Sequence, residues 1–96
     1  MRYFKRPWDE SRGDDYDDWG TSTWFFEVGS DGYVERHIEV YEAGQVLKYD
    51  REHLEDGYGK LAEGALDLEG TGFLPFETDA EEFERAWRTL KAMNRK

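Results

Sequence analysis

The stretch YVERHIEVYEAGQVLKYDR, residues 33–51, decides the fold. β-Branched and aromatic residues fill residues 33–41, Glu42-Ala43-Gly44 supplies a turn, and a second run of the same kind occupies residues 45–51. Two such runs joined by a short glycine-containing link predict an antiparallel hairpin. Alternation within the first run sets Val34, Ile38 and Val40 on one face and Glu35, His37, Glu39 and Tyr41 on the other. The expectation is an apolar face toward a core and a polar row toward solvent.

Working outward, residues 21–28 (TSTWFFEV) have strong strand propensity, with Trp24, Phe26 and Val28 on one side and Thr23, Phe25 and Glu27 on the other. The GSDG that follows, residues 29–32, is a turn, because Asp-Gly supplies the positive φ of a tight hairpin. These three strands form a meander. Residues 2–8 (RYFKRPW) read as a further strand in which Pro7 marks an edge or an end. On the other side, residues 53–72 are dense in glycine and lack a period, so Leu61, Leu66 and Leu68 are expected to anchor an irregular connection to the core. FLPFE, residues 73–77, is expected to be extended, since Pro75 pushes its predecessor away from helix.

The C-terminal TDAEEFERAWRTLKAMNRK has helical spacing: Ala80, Phe83, Trp87, Leu90 and Asn94 share a face, with Ala86 and Met93 beside it. Thr78 and Glu81 match a capping box, acids crowd the first turn, and Arg88, Lys91, Arg95 and Lys96 follow as the helix dipole favours. The sum is an α+β fold in a single domain spanning residues 1–96. An antiparallel sheet of about four strands, the meander plus the N-terminal strand, is packed by one C-terminal helix.

Composition narrows the function. Aromatic residues make up 17% of the 96-residue chain, enough to build a core despite low mean hydropathy. Cysteine is absent, which removes disulfides and thiolate metal sites. MRYFKRPWDE contains no apolar run of signal-peptide length, and no stretch approaches a membrane span, so a cytoplasmic location is expected. The net charge of −10 disfavours nucleic acid and anionic membranes as partners and favours a basic protein.

Chemistry finds little footing. An EF-hand register with Gly20 at position 6 places Asp15 and Asp17 at positions 1 and 3, but Trp19 and Phe26 fall where ligands are needed. No P-loop, dinucleotide fingerprint or nucleophile elbow is present, and neither His37 nor His53 has a partner at a recognisable spacing. No cofactor, metal or catalytic residue is expected. What stands out is ESRGDDYDDWG, residues 10–20, where Asp14, Asp15, Asp17 and Asp18 surround Tyr16 and run into Trp19. Carboxylates supply steering and charge pairs, and aromatic rings supply anchors. The predicted partner-binding residues are therefore Asp14, Asp15, Tyr16, Asp17, Asp18 and Trp19, together with Glu35, His37, Glu39 and Tyr41 on the exposed strand face.

Three segments carry a resemblance. MRYFKRPW, YVERHIEVYEAG and EEFERAW resemble a family of small acidic bacterial proteins. Those proteins open with an M-[KR]-Y-[IF]-K strand and a Trp, continue through a Y-x-x-R-x-[IV]-E-[VI]-[YF]-x-x-G hairpin and close on EEFExxW. The chain departs from that pattern at residues 9–20 and 57–72. Members of the family resemble immunity proteins of bacterial polymorphic toxin systems. The resemblance implies a binding protein that occludes the basic active-site or substrate cleft of a toxin effector domain, and it brings no catalytic residues with it. The alternative expectation is an acidic DNA mimic of the phage type, inhibiting a restriction or CRISPR nuclease.

Overall fold

Alternating side chains and two tight turns build the sheet. In the computed structural model, which describes residues 1–62 and 73–94, four strands follow in order: β1 (Arg2–Trp8), β2 (Ser22–Val28), β3 (Val34–Tyr41) and β4 (Val46–Asp50). A two-residue β5 (Glu77–Thr78) precedes the helix α1 (Ala80–Thr89). The fold is α+β: an antiparallel sheet in the order β4-β3-β2-β1-β5, with α1 laid on one face. The meander and the added N-terminal strand are as the sequence predicts. The turn before β3 closes with Gly32 N–H donating to the Gly29 carbonyl at 2.9 Å, and Gly32 adopts the positive φ of 86° that such a turn requires.

The register gives each face its residues. Phe4, Phe26, His37 and Tyr49 lie in one cross-strand row, and Lys5, Phe25, Ile38 and Lys48 in the next. The second row belongs to the helix face. There Phe25, Ile38, Val46 and Phe83 form a core, with Tyr3, Val40, Trp87 and Leu90 packed around it. Arg36 fastens the helix. Its guanidinium donates to both Glu27 oxygens (2.8 and 2.7 Å) and to Glu84, and it lies 4.8 Å from the Phe83 ring centroid. The opposite face holds the larger core of Phe4, Phe26, Val28, Val34, Leu47, Tyr49, Leu61 and Phe73. Among the described residues, irregular chain around residues 12–19 and 58–62 covers it rather than a helix.

Four local expectations are corrected. Val34 does not share a face with Ile38 and Val40. The pairs Glu27↔Arg36 and Val28↔Val34 leave Glu35 as an extra residue in β3, and this bulge turns Val34 to the His37 side. The helix cap is one residue later than Thr78: Asp79 accepts from Glu82 N–H at 2.9 Å, while Thr78 Oγ1 donates to the Glu82 carboxylate. The helix also stops at Thr89, short of Asn94. The tail instead turns to the free edge of β4, where Met93 N–H donates to the Val46 carbonyl at 2.9 Å. Asn94 brackets Lys48, accepting from its N–H and donating to its carbonyl, both at 3.0 Å. Those bonds satisfy edge groups that a continued helix would leave open. Residues 74–76 form a 3-10 turn rather than extended chain. Leu61 is buried as expected, and Leu66, Leu68, Arg95 and Lys96 lie outside the described residues.

Candidate partner-binding surface

The acidic stretch is folded, and two of its four aspartates fold it. Asp14 accepts from Tyr16 N–H at 2.9 Å and from Arg12 Nε at 3.0 Å; Asp17 accepts from Gly13 N–H at 2.7 Å and from the Ser11 hydroxyl. These bonds hold both carboxyls below the usual aspartate range: the Tyr16 amide and then Arg12 act on Asp14, and Ser11 and Gly13 act on Asp17. A 3-10 turn, Asp17–Trp19, follows and ends at Gly20. Gly20 has φ 83°, and a Cβ there would meet Glu42 Oε1 at 2.6 Å, so only glycine fits. Asp15 and Asp18 are exposed and make no hydrogen bond or ion pair among the described residues. Their carboxylates face solvent.

Aromatic stacking and one cation clamp this loop to the sheet. Trp19 is 8% exposed, with its ring centroid 5.1 Å from Tyr41 and 4.6 Å from Tyr16. Arg12, the only cation between residues 10 and 19, lies 5.1, 5.4 and 5.7 Å from the ring centroids of Tyr16, Trp19 and Tyr41. It also donates to the Tyr41 hydroxyl at 3.3 Å and to the Tyr58 carbonyl. Trp19 is therefore an internal anchor, which corrects the expectation of an exposed one; Tyr16 stays half-buried beside it.

The expected solvent-facing row on β3 is corrected as well. His37 is fully buried, Glu39 is 3% exposed and Tyr41 4% exposed, while Glu35 is half-buried at the bulge and takes Arg51 Nε at 3.2 Å. His37, Glu39 and Tyr41 form a chain of hydrogen bonds. Ala62 N–H donates to His37 Nδ1 at 3.1 Å, which leaves the ring proton on Nε2, donated to Glu39 Oε2 at 2.8 Å. The Tyr41 hydroxyl donates to Glu39 Oε1 and accepts from Arg12. Burial first, and then the Glu39 carboxylate, push the Tyr41 hydroxyl far above the ordinary tyrosine range. Both imidazole nitrogens are engaged, so His37 offers no base to a substrate. The chain is a brace from β3 to the loop.

The chain matches no family model, no curated protein and no solved structure.

A second brace lies beside the first. Asp56 accepts from Tyr49 Oη at 2.8 Å, Tyr58 N–H at 2.8 Å and Asn94 Nδ2 at 3.0 Å, and pairs with His53 Nε2 at 2.8 Å. Burial opposes its charge, but those four partners outweigh it and hold the carboxyl far below the usual range. Between the loop and β2, an apolar cleft of about 410 Å³ opens, lined by Trp8, Trp24, Phe26 and Phe73 and rimmed by Glu10 and Arg12. Among the described residues, no three His, Asp or Glu side chains are placed to share a metal ion, and no helix is long and apolar enough to cross a membrane.

Arg12, Asp56 and Tyr58 were not among the sequence candidates. Arg12 had a signal, a single cation inside an acidic run, which is where a clamp residue belongs. Asp56 and Tyr58 had none.

Proposed function

We propose that the chain is an immunity-type inhibitor, a binding module that lays a preformed acidic surface over the basic cleft of a bacterial toxin effector domain. The observation that carries this reading is the division of labour in the acidic loop. Asp14 and Asp17 spend their charge on the loop's own shape, while exposed Asp15 and Asp18 present theirs outward, with Asp9, Glu10 and Glu42 also exposed nearby in the chain or across the Gly20 contact. A loop already in one conformation loses little entropy on binding, so its charges convert into affinity and a fast encounter. Clefts that act on nucleic acid are basic because phosphate dominates their affinity, and such a surface is complementary to them. The resemblance of the three segments to immunity-like proteins supports choosing a toxin as the partner.

The test is capture from the native host at low and high salt, with mass spectrometry of the retained protein and assay of its activity with and without the chain. The expected result is one basic effector, inhibited on binding, released by salt, and not retained by Asp15→Lys with Asp18→Lys. Undiminished capture by that variant overturns the loop's role. Retention of a restriction or CRISPR nuclease instead assigns DNA mimicry.

A further inference from the structure

We infer that the cleft beside the acidic loop is an anchor pocket for one aromatic side chain flanked by lysine or arginine on the basic partner. The inference rests on the reading above and names the contact at its centre. The cleft's volume, about 410 Å³, falls in the range of sites that enclose a small ligand, and it admits a phenyl or indole ring with the backbone that carries it. Its floor is Phe26 and Phe73, both buried, and its walls are Trp8, Trp24 and Tyr41. Trp24 is fixed, stacked 4.9 Å from His37 with its indole N–H donated to Ser22 Oγ at 3.0 Å. Trp8 is held differently: the Arg6 guanidinium lies 4.3 Å from its ring centroid, and its indole N–H is buried with no acceptor among the described residues. Both walls therefore present held indole rings beside the Phe26 and Phe73 floor, a lining suited to an aromatic ring.

Charge selects the occupant. Glu10, Ser11 and Arg12 of the acidic loop form the rim, so the apolar floor and the acidic surface share a wall. Arg12 is neutralised by Asp14 at 3.0 Å, and Asp9, Glu10 and Asp15 stand exposed in the same stretch. An anionic ligand is repelled from this rim, and so is a second copy of a chain carrying −10. A basic segment with one aromatic residue satisfies floor and rim together. Aromatic anchors seated in desolvated pockets are the usual energetic centres of protein interfaces.

The probes are two capped pentapeptides, Lys-Lys-Phe-Lys-Lys and Lys-Lys-Ala-Lys-Lys, titrated at low salt and followed by amide and indole NMR. The phenylalanine peptide is expected to bind roughly tenfold more tightly, with the largest shifts at Trp8, Trp24 and Ala62. Ala62→Leu, which fills the cleft, and Trp24→Ala, which removes a wall, are each expected to abolish that ratio and keep the weak binding of the alanine peptide. Asp15→Lys with Asp18→Lys is expected to weaken both peptides and preserve the ratio. Equal affinities in the native chain, or a ratio that survives both cleft variants, overturn the pocket and leave the acidic surface standing. Failure of both peptides to bind overturns the two readings together. Self-association in sedimentation that Ala62→Leu abolishes gives the cleft to a second copy and overturns the proposal.

Discussion

The two faces of the sheet are closed in opposite ways. On the helix face, α1 satisfies most of its own backbone, so the sheet beneath it offers mainly the apolar surface of Phe25, Ile38 and Val46, with Lys48 reaching the Trp87 carbonyl near the helix end. On the loop face, the covering chain has little regular structure, and its N–H and C=O groups need partners from below. β3, β4 and the loops supply them: His37 takes Ala62 N–H, Arg12 donates to the Tyr58 carbonyl, and Asp56 takes Tyr58 N–H. Polar residues on a buried strand face are thus the counterpart of irregular cover. Under the helix the buried polar groups, Glu27 and Lys48, serve instead to fasten α1, through Arg36 to Glu84 and directly to the Trp87 carbonyl.

Removing Phe83 tests the helix face most severely. Phe83→Ala is expected to lower unfolding free energy by about 3–5 kcal/mol in urea titration, since Phe83 is fully buried between Tyr3 and Trp87. A loss under about 1 kcal/mol would mean that the helix is not integral to the core. Glu39→Leu makes the matching cut on the other face. It strands the His37 N–H and the Tyr41 O–H, and a loss of about 2–4 kcal/mol is expected, with faster amide exchange at residues 13–19. Unchanged exchange there would show that the polar chain does not hold the loop.

Acid sharpens the contrast. Asp56 has a depressed folded pKa, so its contribution is complete above the unfolded value of about 4 and is lost as pH falls through the folded value. Exchange at residues 54–61 should therefore accelerate below about pH 4. Glu27, held low first by its bonds to Arg36, carries the same sign on the helix face. The discriminating measurement is consequently Asp56→Asn, which should flatten the acid response of residues 54–61 and leave that of α1 in place. A parallel loss at both faces would break the comparison. The smallest effect belongs to Asp15→Lys with Asp18→Lys. These exposed residues brace nothing, so the melting free energy should stay within about 0.5 kcal/mol while partner binding falls.

Much of this architecture was legible in the chain. β2 alternates as read, with Phe25 on the helix face and Trp24, Phe26 and Val28 on the other. β3 was harder because its bulge at Glu35 shifts Val34 across the sheet, and a bulge leaves no mark in a list of alternating residues. Alternation turns the polar row of β3 toward solvent only when one face of the hairpin is wet; here residues 12 and 58–62 cover it. Of the acidic loop, the sequence revealed the charge but not that Asp14 and Asp17 spend it internally. That division depends on amides and hydroxyls two to six residues away adopting particular angles.

Local pattern alone therefore determined the strands, their turns, the helix and the sign of the surface, because each of these depends on neighbours within a few residues. Which face of β3 is buried, where α1 ends and how the acidic loop is held to the sheet were decided by contacts across the fold: Ala62 on His37, Asn94 on Lys48, Arg12 on Tyr41. Those outcomes are set by the need of every buried polar group for a partner. The partners here lie 25 to 46 residues away along the chain, beyond any local period.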